Sequence, residues 1–189
     1  MLPDLLDAQR NASRDAAFRL PFAREVVSAK IGNSAVLLRR NGIAVPALSE
    51  CVGRAQAAES LDILRGHEGT AARLYFADFA RLVEPFDFKG RFYRPPDGAV
   101  NVMLSFGYTL LYNRIGSALA DKGFDPRQGF FHEGRGSHMA LASDLQEELR
   151  HLVDRVVLAL IHRKEVKPDD FPPTVIQGRP SCRLGGNAF

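Results

Sequence analysis

The sequence is poor in cysteine: 189 residues contain only Cys51 and Cys182, far apart in the chain. Two thiols so placed form no disulfide framework, and they are too few for a zinc ribbon. No apolar run approaches the roughly 18–20 residues that span a bilayer, which excludes membrane spans. The opening MLPDLLDAQRNASRD lacks the basic flank and long apolar stretch of a signal peptide. The expected location is therefore the cytoplasm. There is no internal repeat and no low-complexity tract. Strand-like alternation is confined to short pieces around Phe88–Phe92 and Thr174–Gln177. Excess charge of one sign is also small, with 25 Lys+Arg against 22 Asp+Glu and a net charge of +3. That balance favours a nucleic-acid partner only weakly. What the chain does have is 46% hydrophobic residues, enough for one globular domain with a core. A single domain is expected over residues 1–189.

The pattern is helical almost throughout, so the expected fold is a mainly α multi-helix bundle. From Asp15 to Arg40, apolar residues recur at mixed three- and four-residue steps, the mark of a helix with a broad buried face. Pro21 predicts an end or a kink near its start. Asn41-Gly42 is a stop signal, and Pro46 opens a new element. Ala47 to Val83 reads as helix with a break at Glu59-Ser60, where Ser60 can cap a second helix and Asp62 adds a carboxylate to its first turn. FDFKGRFYRPPDG is a loop by composition. The helix AVNVMLSFGYTLLYNRIGSALADK follows and ends at Gly123. It is apolar on nearly all sides, which predicts a place in the middle of the bundle. A second loop, FDPRQGFFHEGRGSH, leads into a helix from Met139 to Arg163 with a long apolar stripe. Arg39, Arg40, Arg54, Arg91 and Arg94 lie near chain bends, where exposed cations can meet a phosphate backbone.

Few residues stand out as chemistry. Glu68 sits within a helix, directly before Gly69, a residue that costs about 0.8–1.0 kcal/mol against Ala there. Such a glycine can admit a backbone, a metal or a phosphate; the plainer alternative is an exposed helix carboxylate. His132 and His138 lie in a Gly-rich loop segment, where a histidine is either a ligand or simply solvated. Asp144 and Glu147 share one side of a helix at i,i+3 spacing, with Glu148, Arg150 and Arg155 nearby. Like charges so placed call for a cation, or else for neutralisation by those arginines. A glutamate, a histidine and a carboxylate pair suit Mn²⁺ or Mg²⁺ better than a structural zinc, which prefers thiolates.

The segments REVVSAKIGNSAVLLRR, LRGHEGTAARLYF, PPDGAVNVMLSFGYTLLYN, GFFHE and DLQEELRHLVDRVVLALIHRKEV occur in an order that strongly resembles one family. It is the CRISPR-associated integrase/endonuclease, the metal-dependent subunit of the spacer-acquisition complex. The resemblance covers about residues 22–171 and corresponds to the helical catalytic domain.

This resemblance implies roles. Glu68 is the first metal ligand, His132 the second and Glu147 the third, with Asp144 as an alternative or supporting carboxylate. The choice among Asp144, Glu147 and Glu148 stays open. Asn101, Ser105 and Tyr108 are expected near the site, behind the ligands or facing DNA. Arg73, Arg135 and Arg150 are expected phosphate contacts. The implied cofactor is Mn²⁺ or Mg²⁺. The implied partners are double-stranded DNA (captured fragment and repeat), a second copy in the full-length form, and the small dimeric adaptation subunit.

The implied reaction is attack by a 3′-hydroxyl on a phosphodiester, with nicking of branched DNA as its reverse. It needs no protein nucleophile. Members of the family begin with a β-rich domain that has no counterpart here and continue past RLGGNAF, so truncation at both ends is expected. The alternatives are an inactive remnant that still binds DNA or a partner, and an unrelated helical metal hydrolase.

Overall fold

The computed structural model describes residues 3–92, 95–176 and 178–183. Six α-helices are found among them: α1 (Pro3–Arg14), α2 (Ala16–Arg40), α3 (Pro46–Gln56), α4 (Leu61–Ala80), α5 (Gly98–Asp121) and α6 (Ala140–His162). A 3₁₀ turn at Pro168–Asp170 and two short strands, β1 (Pro173–Ile176) and β2 (Arg179–Cys182), complete the order. The strands pair antiparallel, Pro173 opposite Cys182 and Ile176 opposite Arg179. The mainly α expectation therefore holds. Among the described residues no helix is long and apolar enough to cross a membrane.

Local chemistry sets several helix ends. The Asp15 side chain accepts from the Ala17 N–H at 2.8 Å and caps α2. Ser60 accepts from Ile63 N–H at 3.2 Å and caps α4, so the break at Glu59-Ser60 is present. Gly42 and Gly123 take φ of +80° and +87°, the left-handed conformation that ends α2 and α5 at little steric cost. Pro21 does not stop α2, which runs straight through it. The lost hydrogen bond belongs to the carbonyl of Ala17, an exposed residue, so water can replace it. Of the two short extended pieces, Thr174–Ile176 is a strand; Gln177 lies outside the described residues, as does Arg94. Phe88–Phe92 is not a strand. Its backbone is instead bound by one side chain: Asn101 accepts from Phe92 N–H at 3.0 Å and donates to the Gly90 carbonyl at 2.9 Å.

The centre of the bundle is α2, not α5. Ala23, Val26, Val27, Ile31, Ala35, Leu37 and Leu38 are buried on a face wide enough to pack against α3, α4 and α6. The expectation for α5 fails because apolar composition is not burial. Its Phe106 is 62% exposed and its Leu110 55% exposed, while its other side packs on α6. There Gly107 lies so close to Val153 that an added Cβ would meet Cγ1 at 2.5 Å. Helix α4 presents Leu64, Ala71, Tyr75 and Phe79 to the core in one stripe. Phe79 is fully buried among the rings of Tyr75, Phe76 and Phe88.

Phe79→Ala is expected to cost about 3–5 kcal/mol of stability. Phe106→Ala on exposed α5 is expected to cost no more than about 0.5 kcal/mol. Urea unfolding of both variants measures the difference, and equal losses would contradict the placement of the core.

Candidate active site

Three helices bring charged side chains to one place. The stripe of α4 that buries Leu64, Ala71, Tyr75 and Phe79 also carries Glu68, whose side chain is only 26% exposed. The inner face of α6 carries Glu147, whose side chain is 4% exposed. Between them stands Lys30 of α2. Its ammonium pairs with Glu68 Oε1 and lies 2.5 Å from Glu147 Oε2. Arg150, one turn after Glu147, forks onto the same carboxylate: Nε donates to Oε2 at 3.1 Å and Nη2 to Oε1 at 3.0 Å. Burial pushes the Glu147 carboxyl up, but Lys30 and Arg150 outweigh it and hold it at about 2. Burial likewise pushes Lys30 down, and the two glutamates reverse this and raise it above its ordinary value.

His132 approaches from the loop before α6, with Nε2 4.0 Å from Glu147 Oε1. Asp144 places it. That residue is fully buried and accepts the N–H groups of Phe130, Phe131 and His132 at 2.6, 3.1 and 2.7 Å. Its Oδ1 also meets His132 Nδ1 at 2.8 Å. A carboxylate accepts, so Nδ1 carries a proton and Nε2 is the ring nitrogen turned toward Glu147. The loop is tied from outside as well. Gln9 donates to the carbonyls of Asp125 and Gln128, both at 2.8 Å, and Arg19 donates to that of Phe130 at 2.7 Å. Gly129 permits the turn, since a Cβ there would lie 2.9 Å from the backbone of Ala140 and from Asp144 Oδ2.

A layer of aromatic and polar groups backs the carboxylates. The Arg150 guanidinium stacks on the Tyr108 ring at 4.7 Å, and Arg91 does so at 5.4 Å. The hydroxyls of Tyr108 and Tyr75 both donate to Asp154 on α6, the latter at 2.7 Å. Burial holds Asp154 above the usual carboxylate range against those two hydrogen bonds. Arg91 donates to Asn101 Oδ1 and Ser105 Oγ, each at 2.9 Å. In front lies a cavity of about 830 Å³, lined by Lys30, Glu68, Arg73, Arg91, Glu147 and Arg150 among others. His132 opens on a smaller pocket of about 370 Å³ with Arg19 and Arg127.

Glu68 and Glu147 thus meet through Lys30, with His132 beside Glu147. Among the described residues no three His, Cys, Asp or Glu side chains are grouped closely enough to hold a metal as they stand. Asp144 has both oxygens engaged and faces away from solvent, behind His132. Glu148 is partly exposed and pairs its backbone carbonyl, not its carboxylate, with Asn33. Arg73 is exposed at the cavity edge. Arg135 is exposed on the loop and lies 3.5 Å from Glu133. Arg150 is turned inward to Glu147. His138 stacks on Tyr112 and touches Ser143 at 3.3 Å. A Cβ at Gly69 would meet nothing within 4 Å, so no protein segment requires that glycine. Sequence reasoning missed Lys30, Tyr75 and Asp154. The signal for Lys30 was a lone ammonium on the apolar face of Val27 and Ile31.

A protein-family profile described as CRISPR associated protein Cas1 matches residues 3–186. The chain belongs to the Cas1 family. It is 42% identical over 179 residues to CRISPR-associated endonuclease Cas1 3 of Thermus thermophilus, covering 93% of this chain and 53% of that protein. It is 35% identical over 181 residues to the CRISPR-associated endonuclease Cas1 of Leptospira interrogans, covering 87% and 71%. It spans about half the length of the Thermus protein. A Cas1 structure from Thermotoga maritima superposes with a TM-score of 0.89 at 27% identity, over 99% of this chain and 60% of that one. A casposase bound to integration product gives 0.85 at 29%, over 96% and 52%. A Cas6-RT-Cas1–Cas2 complex gives 0.87 at 31%, over 97% and 21%. The match begins at residue 3, so Cas1 similarity extends over α1, ahead of the segments that first revealed it.

The depressed Glu147 carboxyl has a consequence for stability. Its pairing with Lys30 and Arg150 contributes fully above the ordinary value of 4.5 and is lost as pH falls toward about 2. Melting of wild type and Glu147→Gln between pH 7 and pH 2 is expected to show wild type ahead at neutral pH, with the gap closing below pH 4.5. A gap that stays constant would contradict the pairing.

Proposed function

We propose that this chain is the catalytic domain of a metal-dependent DNA endonuclease and integrase of CRISPR adaptation, and that Glu68, Glu147 and His132 hold the metal. The observation that carries this reading is Lys30: two carboxylates from different helices already enclose a positive charge. Two carboxylate oxygen donors and one imidazole nitrogen suit Mn²⁺ or Mg²⁺. A divalent ion held there would supply Lewis-acid polarisation of a phosphodiester and would stabilise charge on the leaving oxygen.

The chain's own groups do the rest. Asp144 fixes the tautomer and the direction of His132, which makes it a supporting carboxylate and not a ligand. Arg150 orients Glu147 instead of contacting phosphate directly. Arg73 and Arg91 at the cavity, and Arg135 on the exposed loop, meet the DNA backbone. Asn101, Ser105 and Tyr108 hold Arg91 in place. The attacking group comes from the substrate: a 3′-hydroxyl of the captured fragment in integration, or water in nicking. Much of the choice of DNA site then rests on DNA shape and on partners.

The likeness to the Cas6-RT-Cas1–Cas2 complex and to a casposase bound to integration product supports double-stranded DNA and a Cas2-type subunit as partners. The family resemblance adds a second Cas1 copy in the full-length form. Chromosomal repeat DNA as substrate fits a cytoplasmic enzyme.

The test is a branched DNA resembling a half-integrated fragment, incubated with Mn²⁺ and either wild type or Glu68→Ala. Wild type is expected to resolve the branch, with the variant at least about 100-fold slower. Equal rates would overturn the site. A folded wild type that binds Mn²⁺ and DNA without reaction would favour a binding role.

A further inference from the structure

Lys30 has a place in this site that the metal reading alone does not explain. Its ammonium has three N–H groups, and two of them are used on Glu68 and Glu147. The pair it serves belongs to two different helices, and its own stem comes from a third. Its side chain is 16% exposed and lines the 830 Å³ cavity. The four-carbon stem is flexible, and the cavity gives it somewhere to go.

We propose that Lys30 is a resident cation of this site, a positioning residue that holds Glu68 and Glu147 together until the divalent ion displaces its ammonium into the cavity. The inference rests on the assignment of Glu68 and Glu147 as metal ligands. Two consequences oppose each other. Without metal, the ammonium relieves the repulsion of the two carboxylates, one of which, Glu147, is almost fully buried. With metal, it is a positive charge that must leave, and it lowers affinity. Lys30 thereby keeps the ligand pair assembled without committing it to whatever cation arrives.

The sign of the effect separates this role from scaffolding. A scaffold lysine, once removed, weakens metal binding because the ligands drift apart. A resident cation, once removed, strengthens it because a competitor is gone. The measurement is a Mn²⁺ titration followed by electron paramagnetic resonance, without DNA, on wild type, Lys30→Met and Lys30→Gln, with Glu68→Gln as control. Thermal melts with and without Mn²⁺ accompany it.

Both Lys30 variants are expected to bind Mn²⁺ about tenfold more tightly than wild type. They are expected to melt lower without metal and to gain more from it. A variant that folds only when Mn²⁺ is present fits the same expectation, as does binding by the variants where wild type shows none. Unchanged or weaker binding by folded variants, with wild type binding lost on Glu68→Gln, would overturn the role of Lys30 alone. Binding unaffected by Glu68→Gln, or absent from every protein, would overturn the metal assignment as well.

Discussion

Two carboxylates from separate helices that converge at a partly buried site need a proton or a positive charge between them, and here the charge is the Lys30 ammonium. That constraint organises this molecule. Glu68 on α4 and Glu147 on α6 converge because α2 passes between them and carries Lys30 at the crossing. Buried ion pairs of this kind are weak sources of stability, since desolvation offsets most of the attraction. Apolar residues of the same volume would pack three helices as well. What a charged crossing provides is a pair of carboxylates held close about a cation, which is a requirement of cation chemistry and not of folding. Arg150 adds a fork to the same carboxylate, and burial of Tyr108 and Asp154 behind it leaves that fork little freedom.

The histidine side of the site follows a different rule. A loop side chain is directed well only if its backbone is held, and here one fully buried carboxylate holds it. Asp144 takes three consecutive backbone N–H groups and the imidazole Nδ1, so the turn and the ring are oriented by the same two oxygens. Gln9 and Arg19 bind the outer carbonyls of the loop, which gives α1 and the start of α2 a task in placing His132. Similarity to the Cas1 profile from residue 3 onward agrees with that dependence.

Much of the bundle was legible in the sequence where the deciding chemistry is local. Ser60, Gly42 and Gly123 announce helix boundaries through hydrogen bonds and backbone angles within a few residues. Glu68 was half legible: Leu64, Ala71, Tyr75 and Phe79 define a stripe on which it falls, yet nothing local says that the stripe turns polar at that point. Lys30 was not legible as a site residue, because both its partners lie far along the chain and only packing joins them. Helix α5 shows the limit of composition. Its sides are apolar nearly all round, but α2 has the wider complementary face and takes the centre. Arg150 reads as a phosphate contact until the three-residue step to Glu147 is seen to match a guanidinium fork.

We propose that Glu68, Glu147 and His132 form one cation site in which the Lys30 ammonium stands between the two glutamates. Crystals soaked in Mn²⁺ and measured at the manganese absorption edge test it directly. The expected result is one anomalous peak bonded to Glu68, Glu147 and His132 Nε2, with the Lys30 ammonium moved into the cavity and Asp144 still bound to the loop. A peak elsewhere, with Lys30 still bridging the two glutamates, would contradict it.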